Sequence, residues 1–246
     1  MSYLRVVGDR LRDGRNVSEG HQRGWGLEFG NLAERISADP DYADAAKYCE
    51  GRSVVRLDRR MNLFLLIKFF LPRVPRGHII EYGSYRGGSA LLLAALARKF
   101  VPGAQVYALD TFCGMPTADS GIDSHHEGDF SDTSFEELVR ARSELGLDNL
   151  HLIKGLFAET APRIIRAAER IALAHIDCDI YESVQYAYDS CKDHMVSQGY
   201  IVFDDSTSSS CLGATEAVER FVIRRDGLLS EQIFPHHVFR APQRNF

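Results

Sequence analysis

The chain has 246 residues, of which 45% are hydrophobic and 26% are charged, a composition typical of a globular protein. The apolar content and a formal net charge of only −5 exclude disorder as the main state. The 34 acidic residues outnumber the 29 basic ones, which argues against a nucleic-acid partner. The apolar stretches fall short of the roughly 20 residues that cross a bilayer, and the N-terminus lacks the apolar segment of a secretory signal. We therefore expect a cytoplasmic protein with no membrane partner.

The cysteines also favour a reducing compartment. Their number is odd and no Cys-x-x-Cys motif occurs, which argues against a disulfide framework and against a thiolate zinc site. The five are Cys49, Cys113, Cys178, Cys191 and Cys211.

The first 75 residues predict an N-terminal helical arm. Periodicity is weak over residues 1–60, so we expect irregular chain with short helices near 31–36 and 41–50. Residues 60–71 predict a longer helix, which Pro72 and Pro75 end. We expect this arm to contribute to an acceptor pocket or to a subunit contact.

Residues 76–246 predict one α/β domain in which strands and helices alternate. The predicted strands cover residues 78–83, 105–110, 149–155, 172–179, 199–205 and 232–241. The predicted helices cover residues 89–100, 134–145, 161–171, 183–196 and 213–227. Such alternation is typical of a mostly parallel sheet with helices on both faces. Residues 111–133 are polar, rich in Gly, Asp and Ser, and lack a helical period, which predicts a lid.

The turn after the first strand favours S-adenosylmethionine over a nicotinamide dinucleotide. In this turn Glu81 precedes Gly83 by two residues, where an acid would repel a pyrophosphate but attract a cationic ammonium or sulfonium group. Asp110 ends the next strand, where an acid accepts hydrogen bonds from ribose hydroxyls. The Gly-x-Gly-x-x-Gly spacing of a dehydrogenase is absent. A plain strand-to-helix turn is the alternative explanation.

Four aspartates follow two neighbouring strands and predict a metal site. Asp177 and Asp179 end one strand, and Asp204 and Asp205 end the next. Because the carboxyl ends of parallel strands meet at one edge of a sheet, these like charges are costly unless a cation or proton intervenes. A hard divalent cation such as Mg²⁺ accepts oxygen ligands of this kind. The alternative is that Asp179 and Asp205 cap neighbouring turns.

These motifs together resemble the macrocin O-methyltransferase family, within the metal-dependent, Rossmann-like class I S-adenosylmethionine O-methyltransferases. The similarity covers roughly residues 76–240. It is carried by five segments, Glu81–Ser89, Leu109–Pro116, Gly155–Phe157, Ile176–Ser183 and Asp204–Asp205. The resemblance implies methyl transfer to a hydroxyl of a sugar on a natural product in antibiotic biosynthesis. Catechol-type O-methyltransferases share the same glycine turn and a similar metal site, so a phenol acceptor is the alternative.

The resemblance also implies a role for individual residues. The metal ligands would be Asp177, Asp204 and Asp205, with Asp179 as general base. The cofactor site would comprise Glu81, Gly83, Ser84, Tyr85, Arg86, Ser89, Asp110, Phe112, Gly155, Phe157 and Asp177. Within it, Asp110 would accept from the ribose, and Gly155 with Phe157 would form the adenine wall.

The remaining expectations concern the lid, the acceptor and the oligomer. His125 and His126 in the lid either contact the acceptor and assist proton removal or lie at the surface. The acidic lid favours a neutral small-molecule glycoside over a phosphorylated acceptor. The resemblance suggests a homo-oligomer, a dimer or larger. A non-catalytic nucleotide-binding module is the alternative from a different class.

Overall fold

The computed structural model describes residues 15–243. Residues 1–14, which begin the predicted arm, and residues 244–246 lie outside this range. The arm contains α1 (Val17–Glu28), α2 (Leu32–Ser37), α3 (Pro40–Ala46) and α4 (Leu57–Leu65). A π-helical turn over Leu66–Phe70 and a 3-10 turn over Leu71–Arg73 continue α4. The helix therefore ends around Pro72, as the sequence predicts, because proline removes a backbone donor.

The strands and helices of the second part alternate as expected. The strands are β1 (His78–Tyr82), β2 (Val106–Asp110), β3 (Leu150–Lys154), β4 (Ile171–Ile176), β5 (Met195–Phe203), β6 (Ser230–Gln232) and β7 (His237–Arg240). The helices are α5 (Gly88–Phe100), α6 (Phe135–Glu144), α7 (Phe157–Ala168), α8 (Tyr181–Cys191) and α9 (Leu212–Ala217), the last continued by a π-helical segment over Val218–Arg225.

The strands form a seven-stranded sheet with the order β3-β2-β1-β4-β5-β7-β6. The first five strands pair in parallel, and β7 is antiparallel to both β5 and β6. The order in which strands are added reverses between β1 and β4, with β2 and β3 on one side and β5 on the other. A crevice therefore opens at the carboxyl ends of β1 and β4, where ligands bind in sheets of this kind. The predicted α/β fold with a mostly parallel sheet is confirmed.

Helices cover both faces of the sheet. Ile79 of β1 packs in a core with the arm helices and α5, whereas the next residue, Ile80, packs in a second core with α7, α8 and α9. This alternation follows from the two-residue period of a strand. The arm helices α1 to α4 therefore share a hydrophobic core with the sheet. Among residues 15–243, no helix combines the length and the apolar character that a membrane span requires.

Several boundaries differ from the sequence predictions. Helix α8 ends at Cys191 rather than at residue 196, and β5 begins at Met195 rather than at residue 199. Strand β4 ends at Ile176 rather than at residue 179, so Asp177 and Asp179 lie in the loop that follows. The predicted strand at 232–241 is two short antiparallel strands, β6 and β7. Helix α7 begins at Phe157 rather than at residue 161, because Pro162 is accommodated inside the helix instead of starting it.

Helix α1 was not predicted, because its glycines resemble those of a loop. The structure shows that two of them make room for a neighbouring chain segment. A Cβ atom on Gly20 would lie 2.1 Å from the carbonyl oxygen of Glu231, and one on Gly24 would lie 2.7 Å from that of Phe234. Asn16 caps the helix, with its side chain accepting from the Glu19 amide at 3.3 Å. Close packing against the β6 region therefore sets this helix.

Candidate active site

A cavity of about 530 Å³ lies at the carboxyl ends of β1, β2, β4 and β5. Its lining includes most of the predicted site residues: Gly83, Ser84, Tyr85, Ser89, Asp110, His125, Phe157, Asp177, Asp179, Asp204 and Asp205. The arm contributes residues 52–56 and Arg59. The lid contributes residues 114–117, His125 and Phe130. The structure thus brings together segments far apart in the sequence.

The turn after β1 is built around Gly83. Its φ is +87°, a conformation that side chains other than glycine rarely adopt. A Cβ atom here would also lie 1.7 Å from the carbonyl oxygen of Asp177. The next two amides, of Ser84 and Tyr85, donate to Asp110 Oδ2 at 2.7 and 2.9 Å. Asp110 therefore holds the turn while still lining the cavity.

Five predicted site residues do not line this cavity: Glu81, Arg86, Phe112, Gly155 and His126. Glu81 differs most from expectation. Its carboxylate was expected to face a cationic ligand, but the side chain is fully buried beneath the turn. It accepts from Ser84 Oγ at 2.7 Å and lies 3.1 Å from His175 Nδ1. Its place inside the sheet, on β1, directs it toward β4 instead of toward the crevice.

Three of the other four support the walls of the cavity. Arg86 donates to the backbone oxygen of Asp132 at 2.7 Å, which ties the turn to the end of the lid. The Phe112 ring packs 5.1 Å from that of Phe135. The Gly155 amide donates to the Asp110 carbonyl at 2.9 Å. The His126 side chain is exposed, at the outer surface of the lid.

Three of the four aspartates converge. Carboxylate oxygens of Asp177, Asp204 and Asp205 all lie within 4.8 Å of one another. Burial, and then the charges of Asp204 and Asp205, raise the pKa of Asp177 well above its usual value. Burial, and then the charge of Asp179, do the same to the pKa of Asp205. A proton or a cation relieves this repulsion.

Asp204 behaves differently because basic groups surround it. Burial raises its pKa, but His175 at 3.6 Å, the hydrogen bond with His236 and the charge of Arg59 outweigh that effect and lower the pKa below its usual value. His236 Nε2 lies 2.7 Å from Asp204 Oδ1. On the far side of the ring, Asn62 Nδ2 lies 3.0 Å from His236 Nδ1. An amide nitrogen only donates, so Nδ1 accepts and Nε2 carries the proton toward Asp204.

Arg59 and His175 are the functional residues that the sequence analysis missed. Arg59 Nη1 is hydrogen-bonded to Asp204 Oδ2 and lies 3.8 Å from Asp205 Oδ1. His175 lies between Glu81 and Asp204; burial lowers its pKa, but these two carboxylates outweigh burial and raise the pKa to about 9. For Arg59 the sequence did contain a signal. Arg59 and Asn62 are polar, lie three residues apart beside an apolar run, and therefore share one face of a helix.

The donor set fits a hard divalent cation. Asp177, Asp204 and Asp205, of which the last two are buried, face Arg59 and a protonated His175 that also neutralises Glu81. Positive charge is therefore in deficit. Oxygen ligands are those that Mg²⁺ prefers. His236 and Arg59 hold Asp204 in its charged form and in one orientation, as outer partners of metal ligands usually do.

The fourth aspartate, Asp179, points to a different group. Its φ is +59°, a left-handed conformation, and its carboxylate clusters with His125 and Cys211 rather than with the three that converge. Its amide donates to Asp205 Oδ2 at 3.0 Å, and its own Oδ1 faces His125 and Cys211. Burial raises the pKa of Asp179, while the charge of His125 and a hydrogen bond from Cys211 oppose the rise. The result is a carboxylate suited to accept a proton at the cavity wall.

The fold and this site define a class of protein: a Rossmann-like α/β protein with a glycine turn after β1 and an acidic cluster after β4 and β5. A family model described as macrocin O-methyltransferase matches residues 55–231. The chain belongs to this family.

Two curated relatives share much of the chain. An 8-demethyl-8-(2,3-dimethoxy-alpha-L-rhamnosyl)-tetracenomycin-C 4'-O-methyltransferase from Streptomyces olivaceus is 30% identical over 67% of this chain and 66% of its own length. The match thus spans just under two thirds of that relative. A demethyldecarbamoylnovobiocin O-methyltransferase from Streptomyces niveus is 24% identical over 72% of this chain and 70% of its own length.

Solved structures show the same fold. The O-methyltransferase NovP superposes with a TM-score of 0.63 at 21% identity, over 91% of this chain and 98% of that one. The calicheamicin methyltransferase CalS11 has a TM-score of 0.63 at 19% identity, over 82% of this chain and 93% of that one. At these identities the likeness concerns the fold alone.

Proposed function

We propose that this enzyme transfers a methyl group from S-adenosylmethionine to a hydroxyl of a sugar on a natural product of antibiotic biosynthesis, with Mg²⁺ as cofactor. The observation that carries the proposal is the convergence of Asp177, Asp204 and Asp205 at the cavity that the Gly83 turn also lines. The printed names of the curated relatives describe O-methylation in tetracenomycin and novobiocin chemistry, the former on a rhamnosyl compound.

The cofactor would lie along the β1 and β2 ends of the cavity. Asp110 is the proposed ribose acceptor. Its Oδ2 accepts hydrogen bonds from the two turn amides, and its Oδ1 accepts from the Phe112 amide at 2.6 Å and from Thr111 Oγ1 at a long 3.4 Å, a weak contact that a ribose hydroxyl would replace. Phe157, at the start of α7, offers an apolar wall for the adenine. Gly83 allows the backbone to approach the ligand closely. The sulfonium of S-adenosylmethionine supplies an activated methyl group.

The cation would be held by Asp177, Asp204 and Asp205. A bound Mg²⁺ supplies Lewis acidity and a template for neighbouring oxygens, which makes a vicinal diol a suitable acceptor. Within the protein, Asp179 is the group proposed to take the hydroxyl proton, since burial raises its pKa. The hydrogen bond from its backbone amide to the Asp205 carboxylate fixes its position. His125, whose Nε2 lies 3.7 Å from Asp179 Oδ1, is the alternative proton acceptor.

The acceptor would enter between the arm and the lid. Val54 of the arm is 64% exposed and lines the cavity, as do Met115 and Pro116 of the lid, so this part of the wall is apolar enough for an aglycone. The lid is anchored at Asp123, whose Oδ1 accepts from the Tyr181 amide at 2.9 Å. Closure by such a lid would exclude water from methyl transfer.

Two further expectations belong to the same proposal. Trp25 and Phe29 are 59% and 66% exposed, with ring centroids 4.9 Å apart, and they support a homo-oligomer in which the arm forms the contact. Light scattering tests that state. The five cysteines are all free, in keeping with the cytoplasm.

The decisive experiment is a methylation assay on a panel of glycosylated acceptors and catechols, with EDTA and with restored Mg²⁺. We expect glycoside methylation that EDTA abolishes. Asp204→Asn should lower turnover by roughly a hundredfold or more, with nearly unchanged affinity for S-adenosylhomocysteine. Asp148→Asn, at an exposed loop position, is the matched control. Full activity in EDTA would refute the metal role, and activity on catechols alone would favour the phenol alternative.

Asp179→Asn separates proton transfer from metal binding. We expect it to keep Mg²⁺ affinity by calorimetry and to lose roughly 10²–10⁴-fold in rate, the range for a general base. A nearly normal rate would reassign the base to His125. Tight binding of S-adenosylmethionine with no methylation of any acceptor would instead favour a non-catalytic nucleotide-binding module.

A further inference from the structure

A second cluster of possible metal ligands lies beside the carboxylate cluster. It consists of His125 from the lid, Asp179 from the loop after β4, and Cys211 immediately before α9. All three residues line the cavity. The site brings an imidazole, a carboxylate and a thiol together from three separate segments, which the absence of a Cys-x-x-Cys motif does not preclude.

The spacing of the three donor atoms matches a tetrahedral ion. Cys211 Sγ lies 3.5 Å from Asp179 Oδ1 and 3.6 Å from His125 Nε2. His125 Nε2 and Asp179 Oδ1 are 3.7 Å apart. Zinc bonds of about 2.3 Å to sulfur and about 2.0 Å to nitrogen or oxygen, at tetrahedral angles, place such ligands roughly 3.3–3.6 Å apart. A shift of a few tenths of an ångström in one side chain therefore completes the geometry.

The surrounding contacts aim two of the donors at one point. His125 Nδ1 lies 3.3 Å from Asp129 Oδ2, so the opposite ring nitrogen, Nε2, faces Cys211 and Asp179. Metal-binding histidines usually have a carboxylate on the second nitrogen in this way. The Asp179 backbone is held by the hydrogen bond that its amide donates to Asp205 Oδ2 at 3.0 Å. Cys211 itself is buried, with 4% of its surface exposed.

We propose that His125, Asp179 and Cys211 form a binding site for a soft divalent cation of the zinc class, distinct from the carboxylate site. Thiolate and imidazole ligands favour such ions over Mg²⁺. Binding forms three ligand bonds and releases the thiol proton to solvent. The fourth position faces the cavity. An ion here occupies the oxygen of Asp179 that the proposed function assigns to proton transfer, so zinc-class ions inhibit the methyltransferase.

Co²⁺ titration of the metal-free, full-length protein tests the site without an activity assay. We expect a near-ultraviolet thiolate-to-cobalt charge-transfer band that saturates at one equivalent and that Zn²⁺, but not Mg²⁺, abolishes. Cys211→Ser should remove the band. Cys113→Ser is the matched control, since Cys113 is exposed elsewhere in the lid, and it should keep the band.

Two further variants keep the test independent of folding and of the proposed function. His125→Gln should weaken Co²⁺ binding at least tenfold, with an unchanged circular dichroism spectrum. Asp204→Asn should keep the band, because Asp204 belongs to the other cluster. Absence of a band at saturating Co²⁺, or its survival in Cys211→Ser, overturns the site. Neither result bears on the EDTA experiment, which addresses methylation and Mg²⁺ directly.

Discussion

Replacing Gly83 by alanine tests how closely the turn after β1 approaches the loop after β4. Two costs add at this position. A non-glycine residue at a φ of +87° costs about 1–2 kcal/mol. The new Cβ would lie 1.7 Å from the Asp177 carbonyl oxygen, and relief of such overpacking costs about 1–3 kcal/mol more. We therefore expect a loss of about 2–5 kcal/mol in the free energy of unfolding.

Gly103→Ala is the matched control for the backbone contribution. Gly103 has a φ of +90°, and a Cβ atom there meets no other atom within 4 Å. This variant should lose only the conformational cost of about 1–2 kcal/mol. The difference between the two variants, measured by urea unfolding followed by circular dichroism, isolates the steric cost at Gly83.

The same variant should weaken ligand binding. If the Cβ pushes the turn away from Asp177, the Ser84 and Tyr85 amides lose their 2.7 and 2.9 Å bonds to Asp110. We expect the dissociation constant for S-adenosylhomocysteine to rise about tenfold or more in calorimetry, which corresponds to about 1.4 kcal/mol. Equal destabilisation of Gly83→Ala and Gly103→Ala, with unchanged affinity, would refute the reasoning.

Two other predictions concern single groups. A hydrogen bond from Arg225, assisted by Lys192 and Tyr188, lowers the pKa of Asp226. This stabilisation is therefore present above the ordinary carboxyl pKa of about 4 and is lost as the pH falls further. Because the pair is partly exposed to solvent, urea unfolding should show Asp226→Asn less stable than the parent by about 1 kcal/mol at pH 7, with the gap closing in acid; a constant gap would contradict the assignment. Alkylation of the native protein should modify Cys113 ahead of the four buried cysteines, and mass spectrometry showing early labelling of Cys191 would contradict the structure.

The local pattern of the sequence determined the alternation of strands and helices and the chemistry at the strand ends. Apolar runs that stop at Asp110 or at Asp204 fix where strands end, because a charged group does not continue a buried strand. Since the carboxyl ends of parallel strands share one edge, the convergence of Asp177, Asp204 and Asp205 followed without coordinates. The sequence pattern sufficed for this prediction because the closeness of these aspartates depends only on their positions at the ends of adjacent parallel strands.

Only the tertiary structure decided which groups surround those aspartates. Arg59 and His236 reach Asp204 from positions 145 residues before it and 32 residues after it, and no local periodicity encodes such contacts. The same holds for α1. Its glycines are required because the chain around β6 packs directly against them, and that contact is visible only in the tertiary structure. Glu81 and Asp179 show the limit most clearly. The direction of the Glu81 side chain depends on the face of β1 on which it lies, and that of Asp179 depends on its left-handed φ. Both follow from three-dimensional packing rather than from residue type.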